Sequence, residues 1–578
     1  MQARCAHPHV LGWDEAIQQG LSRLNSKKIQ LRDWQRSVVD SWRDGKDSFV
    51  LSSTGSGKSV CYQLPAMISG KTCIVVSPLI SLMRDQCEQL VEQGVSACYL
   101  GSAQPDKMVH GRAMSGEYLL LYICPETLVK ICDSLWRLHH EQGKVCLLAV
   151  DEAHCVSKWG HDFRPSYLDL GRAFQQLHDG PRGAIPVMAL TATASPPVRE
   201  DVMKILRLGS SRNGDMFVCL NSFSRPNLCF TVHHTNMDNL QCLEKDLAPY
   251  FEYAGDPTLL MKGDNRIVAG IRTLREHTVP RARPISTYVP RMPESNSRGG
   301  SIIIYAPTRN LVKLIAMKLR KLGVSAEPFH AGLTKHHLHK VQQDFMRNKC
   351  KCIVATVAFG MGINKPDVRL VVHYGWPQGL EQYFQEAGRA GRDGEEAKCA
   401  LFVDFRGVPS LLPSQCDEER RATLQRGLTA VFLYAVRLNR CRLQQILSRL
   451  GDEAAPPCRK CDVCSQGQQP EQQLGKEAAT LLREVHGKGG ETWDRGTWQE
   501  AVSSWHKSCP SRSVSFWRGL ARLLLEEGVL EDLHAPASLL LPFGAPRVTE
   551  EGTTFLGRWD ADQQNTTKML RPEADMLV

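Results

Sequence analysis

Apolar runs of strand length alternate with helix-length segments in two separate stretches of the chain. Strands that are buried on both faces of a parallel sheet have continuous apolar sequences, and helices fill the connections between them. Both stretches therefore predict a doubly wound parallel sheet, which gives an α/β fold class with two similar lobes. The predicted strands are Cys73–Ser77, Tyr118–Cys124, Val145–Val150 and Pro186–Thr191 in the first lobe, and Ser301–Tyr305, Cys352–Thr356, Leu370–Tyr374 and Ala400–Val403 in the second.

The stretch between the two lobes, residues 235–300, lacks this periodicity. It contains scattered glycines and prolines, and its latter part carries clustered arginines against few acidic residues. Such a composition does not support a core of its own, so we expect an insertion. Two roles stay open for it. It is either a passive loop, since lengthening a loop costs little free energy, or a segment whose arginines contact phosphates.

The pattern becomes helical after Gly407 and stays so to the end of the chain. A Gln/Gly-rich linker, Ser465–Gln473, separates a helical region from a last small domain. The periodicity of this last domain would by itself fit many kinds of small helical domain. The predicted elements are helices at Ala422–Leu438, Cys441–Leu450, Glu477–Val485 and Val514–Gly528, and short strands at Leu530–Leu533 and Arg547–Thr549.

Composition supports a folded, multidomain protein. The chain has 578 residues, 42% of them hydrophobic, but no run of about 18 apolar residues, so no membrane partner is expected. Its start, Met1–Gly20, does not resemble a secretion signal. Most of the 21 cysteines stand alone in apolar runs, which favours a reducing compartment. The net charge of +10 fits a polyanionic partner, with solvated surface charge as the alternative.

A glycine-rich loop follows the apolar run Phe49–Leu51 and precedes a helix predicted at Val60–Ile68. This strand, loop and helix order is the context of a phosphate-binding loop, in which backbone N–H groups surround the phosphates. Lys58 is placed to reach the β and γ phosphates of a nucleotide, and Ser59 to bind Mg²⁺. Ser52 stands where the usual first glycine would be. The loop residues are Thr54, Gly55, Ser56, Gly57, Lys58 and Ser59.

An acidic pair, Asp151 and Glu152, ends the predicted strand Val145–Val150. The carboxyl end of a buried parallel strand is where a metal-binding aspartate meets a phosphate loop. We therefore expect Asp151 to hold Mg²⁺ and Glu152 to orient and deprotonate the attacking water. A glycine turn and a capping aspartate in an ordinary α/β fold are the alternative.

Four cysteines near the end of the helical region have the spacing C-x16-C-x2-C-x2-C: Cys441, Cys458, Cys461 and Cys464. Closely spaced thiols with one distant partner suit tetrahedral Zn²⁺. Four thiolates leave no open coordination position, so the zinc is expected to be structural. Free core thiols are disfavoured by the polar residues Arg459, Lys460 and Asp462.

Further motifs narrow the class of protein. Together they resemble those of a RecQ family helicase of superfamily 2, most like the Bloom and Werner type. The resemblance runs from about Leu31 to Leu556. It implies two RecA-like lobes, a helical zinc-binding subdomain and a winged-helix domain. The motifs are Leu190–Ala194, the helicase motif Gln385–Arg392, and two stretches typical of this family, Cys155–Pro165 and Ser222–Leu228.

The resemblance assigns roles on both lobes. It makes Arg392 the arginine finger, with Arg389 beside it at the phosphates and Gln385 at its helicase spacing. Arg32 and Gln35 match the adenine-recognition motif, although Lys28 stands where an aromatic residue is expected, which puts base stacking in doubt. The alternative for Gly388–Arg392 is a basic turn, and the alternative for Gln35 is a surface helix residue.

An aromatic-rich loop follows Glu152 and is the candidate for contact with unpaired bases. Its residues Trp159, Phe163 and Arg164 offer stacking surfaces that demand no particular base sequence. In the last domain, Phe543 lies between the two predicted wing strands and is the candidate for stacking on the terminal base pair of a fork. Packing within the protein is the alternative for these aromatic residues.

The resemblance implies ATP- and Mg²⁺-dependent unwinding of DNA in the 3′ to 5′ direction on single-stranded and forked substrates. Its eukaryotic-looking subfamily makes the nucleus the expected location. An RNA helicase and a DNA-binding scaffold without turnover are the alternatives. The expected segments are an N-terminal extension (1–25), a first lobe (26–234), the insertion (235–300), a second lobe (301–407), a zinc-binding subdomain (408–466), a winged helix (474–560) and a tail (561–578).

Overall fold

The chain divides into two compact units, one made essentially of Met1–Arg225 and the other beginning at Pro226. No helix in the part of the chain that the structure describes is long and apolar enough to cross a membrane. The structure is a computed structural model, and it describes residues 12–24, 30–101, 104, 106, 108–157, 164–209, 215–237, 241–253, 300–360, 365–404, 418–467, 470–487, 495–532, 546–563, 566–572 and 576.

The first unit is built on a seven-stranded parallel sheet in the order β3-β4-β2-β5-β6-β1-β7. Its strands are β1 (Asp47–Leu51), β2 (Thr72–Val76), β3 (Ala97–Leu100), β4 (Leu120–Ile123), β5 (Val145–Val150), β6 (Val187–Thr191) and β7 (Met216–Leu220). Its helices are α1 (Trp13–Leu24), α2 (Asp33–Arg43), α3 (Lys58–Ser69), α4 (Ile80–Glu92), α5 (Met108–Met114), α6 (Pro125–Lys130), α7 (Cys132–His140), α8 (Leu170–His178) and α9 (Pro196–Ile205).

The four strands predicted for this lobe are all present, as is the helix after the glycine loop. Every residue of β1, β2, β5 and β6 is buried, as their apolar sequences require. The two strands that the pattern did not identify, β3 and β7, are the edge strands of the sheet. They are less completely buried than the central strands.

Residues 1–25 were expected to be an N-terminal extension, but helix α1 within them is packed into the first lobe. Helix α1 packs Ile17 and Leu21 against Leu64 of α3. The indole N–H of Trp13 donates to Asp40 Oδ1 at 2.6 Å, which fixes the beginning of α1 on α2. Residues 13–24 are therefore part of the first lobe.

The second unit contains a six-stranded parallel sheet in the order β10-β11-β9-β12-β13-β8. Its strands are β8 (Leu228–His234), β9 (Ser301–Tyr305), β10 (Ala326–Phe329), β11 (Cys352–Ala355), β12 (Val368–Tyr374) and β13 (Ala397–Val403). Its helices are α10 (Gln241–Tyr253), α11 (Arg309–Lys321), α12 (Lys335–Met346) and α13 (Leu380–Ala387).

The boundary between the lobes lies earlier than the sequence predicts. We expected the first lobe to extend to 234, but β8 pairs in parallel with β13 over its whole length, from Leu228↔Ala397 to His234↔Val403. Burial of an apolar strand does not reveal which sheet it joins. Strand β8 therefore belongs to the second lobe.

The expected insertion is also shorter than 235–300. Helix α10 packs Leu243, Leu247 and Tyr250 into the core of the second lobe, where they contact β9 and α11. Residues 254–299 lie outside the described part of the chain.

The remainder of the chain is mostly helical. A Trp505–Trp517 pair, with ring centroids 5.6 Å apart, lies in the core of the last domain. Leu570 and Met576 also enter this core, and β17 pairs with β14, so the segment expected to be a tail is partly folded. The helices are α14 (Glu418–Val436), α15 (Arg442–Arg449), α16 (Asp462–Gln466), α17 (Gly475–Gly487), α18 (Arg495–Ser508), α19 (Val514–Glu526) and α20 (Glu550–Ala561), and the strands are β14 (Gln472–Gln473), β15 (Leu530–Asp532), β16 (Pro546–Val548) and β17 (Met569–Leu570).

Asp47 is the polar residue on which the centre of the first sheet depends. It is buried, and its two carboxylate oxygens accept from the backbone N–H groups of Val187 and Gly209, both at 2.9 Å. We expect Asp47→Ala to destabilise the lobe by about 1–3 kcal/mol for each N–H left without an acceptor. Native-state hydrogen exchange of peptides from β1 and β6 measures the loss.

The exposed Asp44 provides the control. Its ion pair with Arg43 lies at the surface, so Asp44→Ala should change stability by less than about 1 kcal/mol. Equal exchange rates in the two variants would contradict the role given to Asp47.

Candidate nucleotide site, arginine loop and zinc centre

The glycine-rich loop connects β1 to α3 at the carboxyl edge of the first sheet. Gly55 and Gly57 have φ angles of +79° and +87°, in the region that favours glycine. A Cβ atom on Gly57 would also lie 2.7 Å from Gln35 Nε2, so the position admits no side chain. The first N–H groups of α3 have no acceptor within the helix and are available to an anion.

Two features of this loop fit a bound triphosphate. The Lys58 ammonium donates to the carbonyls of Ser52 and Ser53, at 2.8 and 3.2 Å, so its charge lies over the loop. The hydroxyl of Ser56 is buried and has no hydrogen-bond partner within the described residues. A phosphate oxygen would satisfy that hydroxyl and give the ammonium an anionic partner.

Arg32 and Gln35 contact the phosphate loop directly. Arg32 Nη1 donates to Ser56 O at 3.1 Å, and Gln35 Nε2 donates to Gly57 O at 3.0 Å. Gln35 is buried, which excludes the surface-helix interpretation. These contacts place both residues beside the loop, and the reading of adenine stays a prediction.

The acidic pair lies at the same edge of the sheet. The backbone N–H of Asp151 donates to Val76 O of the neighbouring strand, and burial raises the pKa of its carboxyl group, an effect that the nearby Lys58 opposes. A divalent cation would offset this cost, and Ser59 and Asp151 offer the oxygen ligands that Mg²⁺ prefers. Glu152 adopts a left-handed φ of +50°, an unusual conformation that is found at functional sites.

The acidic pair is joined to the motif Leu190–Ala194 by His154, a residue to which sequence reasoning gave no role. His154 Nδ1 lies 2.9 Å from Thr191 Oγ1 and 3.4 Å from Glu152 Oε2. Thr191 Oγ1 also donates to Thr193 O at 3.1 Å. His154 and Thr191 therefore fix the environment of Glu152.

The aromatic-rich loop is described only at its end. Trp159 and Phe163 lie outside the described residues, as does Phe543 of the last domain. Arg164 is half-buried and donates from Nη1 to Pro78 O at 2.8 Å, which ties the end of the loop to the segment after β2.

In the second lobe, the motif Gln385–Arg392 spans the end of α13 and the turn that follows. Arg389 is 4% exposed, so it is not the solvated basic turn that we considered as an alternative. It lies beside the Tyr305 hydroxyl. Burial raises the pKa of that hydroxyl, and the nearby Arg389 guanidinium offsets only part of the increase. Gln385 and Arg392 are half-buried. The motif thus holds one buried arginine and one that reaches the surface.

The carboxylate of Glu386 holds the middle of this motif in place. It accepts from His373 Nε2 at 2.7 Å and from Gln382 Nε2 at 3.1 Å, and all three residues are buried. Sequence reasoning did not select Glu386, although it lies within the motif.

The four predicted cysteines form one cluster. The sulfur atoms of Cys441, Cys458, Cys461 and Cys464 all lie within 4.8 Å of one another. Those of Cys441 and Cys461 are 3.9 Å apart, close to the separation of about 3.8 Å that Zn–S bonds of 2.3 Å give in a tetrahedron. Hydrogen bonding, chiefly from Cys458, lowers the pKa of the Cys441 thiol. The donor set fits structural zinc.

A buried ion pair anchors the zinc cluster. Arg442 and Asp462 are both buried, with Arg442 Nε 2.9 Å from Asp462 Oδ1. Because removing one partner of such a pair leaves an uncompensated buried charge, each residue requires the other. Sequence reasoning mentioned Asp462 only as a polar neighbour of the cysteines.

Three family models match consecutive parts of the chain. They are the DEAD/DEAH box helicase model over residues 32–202, the helicase conserved C-terminal domain over 285–394, and the RecQ zinc-binding model over 402–465. The last of these covers the four-cysteine cluster.

A relative from Arabidopsis thaliana, named ATP-dependent DNA helicase Q-like SIM, is 34% identical over 95% of this chain and 73% of its own length. The chain belongs to the RecQ family of ATP-dependent DNA helicases. The RecQ protein of Haemophilus influenzae is 36% identical, over 75% of this chain and 61% of its own length. The chain thus spans less than two thirds of that bacterial relative. Identities in this range do not resolve a Bloom or Werner subtype.

Two further comparisons carry less weight for this RecQ chain. A mimivirus protein named putative ATP-dependent RNA helicase R290 is 29% identical over 92% of the chain and 90% of its own length. The structure of the Mycobacterium smegmatis helicase Lhr with single-stranded DNA and AMP-PNP overlaps 94% of this chain and 61% of that one, with a TM-score of 0.47 and 18% identity. We draw no conclusion from this loose overlap.

Metal analysis should find about one zinc ion per chain. Cys458→Ser should lose the metal and reduce soluble yield, because structural zinc binding is coupled to folding. Cys242→Ser is the matched control, since Cys242 lies on α10 outside the cluster. A well-folded wild-type chain without zinc would show that the cluster is not a zinc site.

Proposed function

We propose that this RecQ chain couples ATP and Mg²⁺ to 3′ to 5′ unwinding of single-stranded and forked DNA. The observation that carries the proposal is the phosphate loop beside a buried Asp151, in a chain that also holds the four-cysteine cluster of the RecQ family. Phosphoryl transfer needs groups that position the nucleotide and neutralise its charge, and the first lobe supplies such groups.

Each residue at the loop has a distinct task in this proposal. Lys58 neutralises the β and γ phosphates, and the N–H groups at the start of α3 orient them. Ser59 and Asp151 would hold Mg²⁺, which supplies charge stabilisation when it is bound. Glu152, held by His154, orients the attacking water and accepts its proton.

The second lobe contributes arginines in this mechanism. Arg392 acts as the arginine finger, which stabilises charge on the transferring phosphoryl group, and Arg389 supports it. An arginine finger is worth about 10³- to 10⁵-fold in turnover. In this mechanism, hydrolysis requires groups from both lobes.

Contacts with DNA are proposed at two places. Trp159, Phe163 and Arg164 would stack on unpaired bases just after Glu152 in the chain and signal DNA occupancy to the site. The last domain has helices followed by the antiparallel pair β15 and β16, an arrangement that supports a winged helix. Phe543, between these strands, would stack at the fork. A nuclear location stays a prediction.

Unwinding of RNA is the second candidate, favoured by the name of the mimivirus relative. Matched DNA and RNA duplexes with identical 3′ overhangs decide between the two. Unwinding of DNA alone supports the proposal, and preference for RNA contradicts it. DNA-stimulated ATP hydrolysis excludes the scaffold without turnover.

Lys58→Ala should abolish ATP hydrolysis and leave single-strand DNA binding largely intact, because Lys58 contacts phosphate rather than DNA. Phosphate release and fluorescence anisotropy measure the two properties. Lys71→Ala, at an exposed lysine after α3, is the control and should match the wild type. Wild-type hydrolysis by Lys58→Ala would show that the site is elsewhere.

Trp159→Ala should reduce DNA-stimulated ATPase and unwinding much more than basal ATPase, because base stacking worth about 1–3 kcal/mol is lost. Trp136→Ala is the control, since this tryptophan lies on α7 and donates its N–H to Asp179 O. An equal fall in all three activities, with a lower melting temperature, would indicate that Trp159 is a core residue.

A further inference from the structure

Asn227 lies in the motif Ser222–Leu228, just before β8, and both N–H groups of its side-chain amide have acceptors. Nδ2 donates to Gly391 O at 2.8 Å and to Glu395 O at 2.9 Å. Its backbone carbonyl accepts from Ala397 N at 3.0 Å, at the start of β13. All of these residues belong to the second unit.

The two accepting carbonyls lie on either side of Arg392 in the sequence. Gly391 directly precedes it, and Glu395 follows three residues later. Gly391 has a φ of +55°, and a Cβ atom there would lie 2.4 Å from Asn227 Nδ2. The glycine therefore permits the close approach of the amide. In turn, the amide fixes the two carbonyls between which the Arg392 backbone runs.

The same turn is held from its other side by β12. Gly391 N donates to Val368 O at 2.9 Å, and Arg369 pairs with Asp393 and donates to Glu396 O at 3.2 Å. These contacts fix the ends of the turn to the sheet. A backbone hydrogen bond from Gly394 N to Gly391 O, at 3.1 Å, closes the turn itself, and Asn227 adds the side-chain link between the Gly391 and Glu395 carbonyls.

We propose that Asn227 is a positioning residue for Arg392, acting through its two hydrogen bonds to the turn Gly391–Glu395. This inference rests on the role proposed above for Arg392. A finger must place its guanidinium within a fraction of an ångström of the phosphoryl group, and a displacement of about 1 Å can cost 100-fold in rate. The amide preorganises the backbone from which Arg392 extends.

The test compares single and double variants by DNA-stimulated ATPase. Asn227→Ala and the isosteric Asn227→Asp both remove the two donors and should lower kcat about 10- to 100-fold. KM for ATP should stay within about twofold of the wild type, because the lost interaction acts in the transition state. Arg392→Ala should lower kcat at least as far.

The double variant Asn227→Ala/Arg392→Ala separates positioning from general damage. If Asn227 acts through Arg392, the double variant should turn over at the rate of Arg392→Ala alone. Asn348→Ala is the matched control. It removes an acceptor for Lys365 in the same unit, and should lower the melting temperature with kcat unchanged.

Two outcomes would overturn the positioning role and leave the proposed function intact. One is a kcat in the double variant that falls by the product of the two single-variant reductions. The other is wild-type kcat in both Asn227 variants. Full turnover by Arg392→Ala would remove the arginine finger from the mechanism, and the role of Asn227 with it. If Asn227→Ala does not fold, Asn227→Asp, which keeps the side-chain volume, carries the comparison.

Discussion

The site in the first lobe depends on the parallel hydrogen bonding of β1, β2, β5 and β6. Because the strands run in the same direction and in register, their carboxyl ends meet at one edge. Ser52 N donates to Thr191 O there, and Asp151 N donates to Val76 O. This constraint brings the glycine loop, the acidic pair and the threonine motif together, although they are separated by up to 140 residues in the chain. A shift in strand register would separate the glycine loop from the acidic pair.

Much of this arrangement could be predicted because it is encoded locally. Continuous apolar runs identified the central strands, the loop sequence located the glycine-rich turn between β1 and α3, and the cysteine spacing identified the four residues of the thiol cluster. Partners in space could not be predicted in the same way. Strand β8 has the apolar sequence of either sheet, and only its pairing with β13 places it in the second lobe. Composition alone assigned helix α10 to the insertion, whereas its packing places it in the second lobe.

The polar residues that support the site were the hardest to find in the sequence. His154, Glu386 and Asn227 act through contacts with residues from 13 to 168 positions away. No local periodicity reports such contacts. Glu386 and Asn227 nevertheless lie inside motifs that the sequence makes visible, and His154 lies between the acidic pair and the stretch Cys155–Pro165. A polar residue within a motif, with no task in the chemistry, is therefore a good candidate for a residue that positions its neighbours.

The segment that carries the cysteine cluster also contacts the edge of the second sheet. Strand β8 is the last strand of that sheet, and an uncovered edge strand offers its N–H and C=O groups to any extended chain. The cysteine loop covers part of this edge, because the Val232 N–H donates to Asp462 Oδ2 and the Cys229 thiol donates to Lys460 O. Loss of the metal would therefore expose a β-strand template and favour aggregation through the helicase lobe itself.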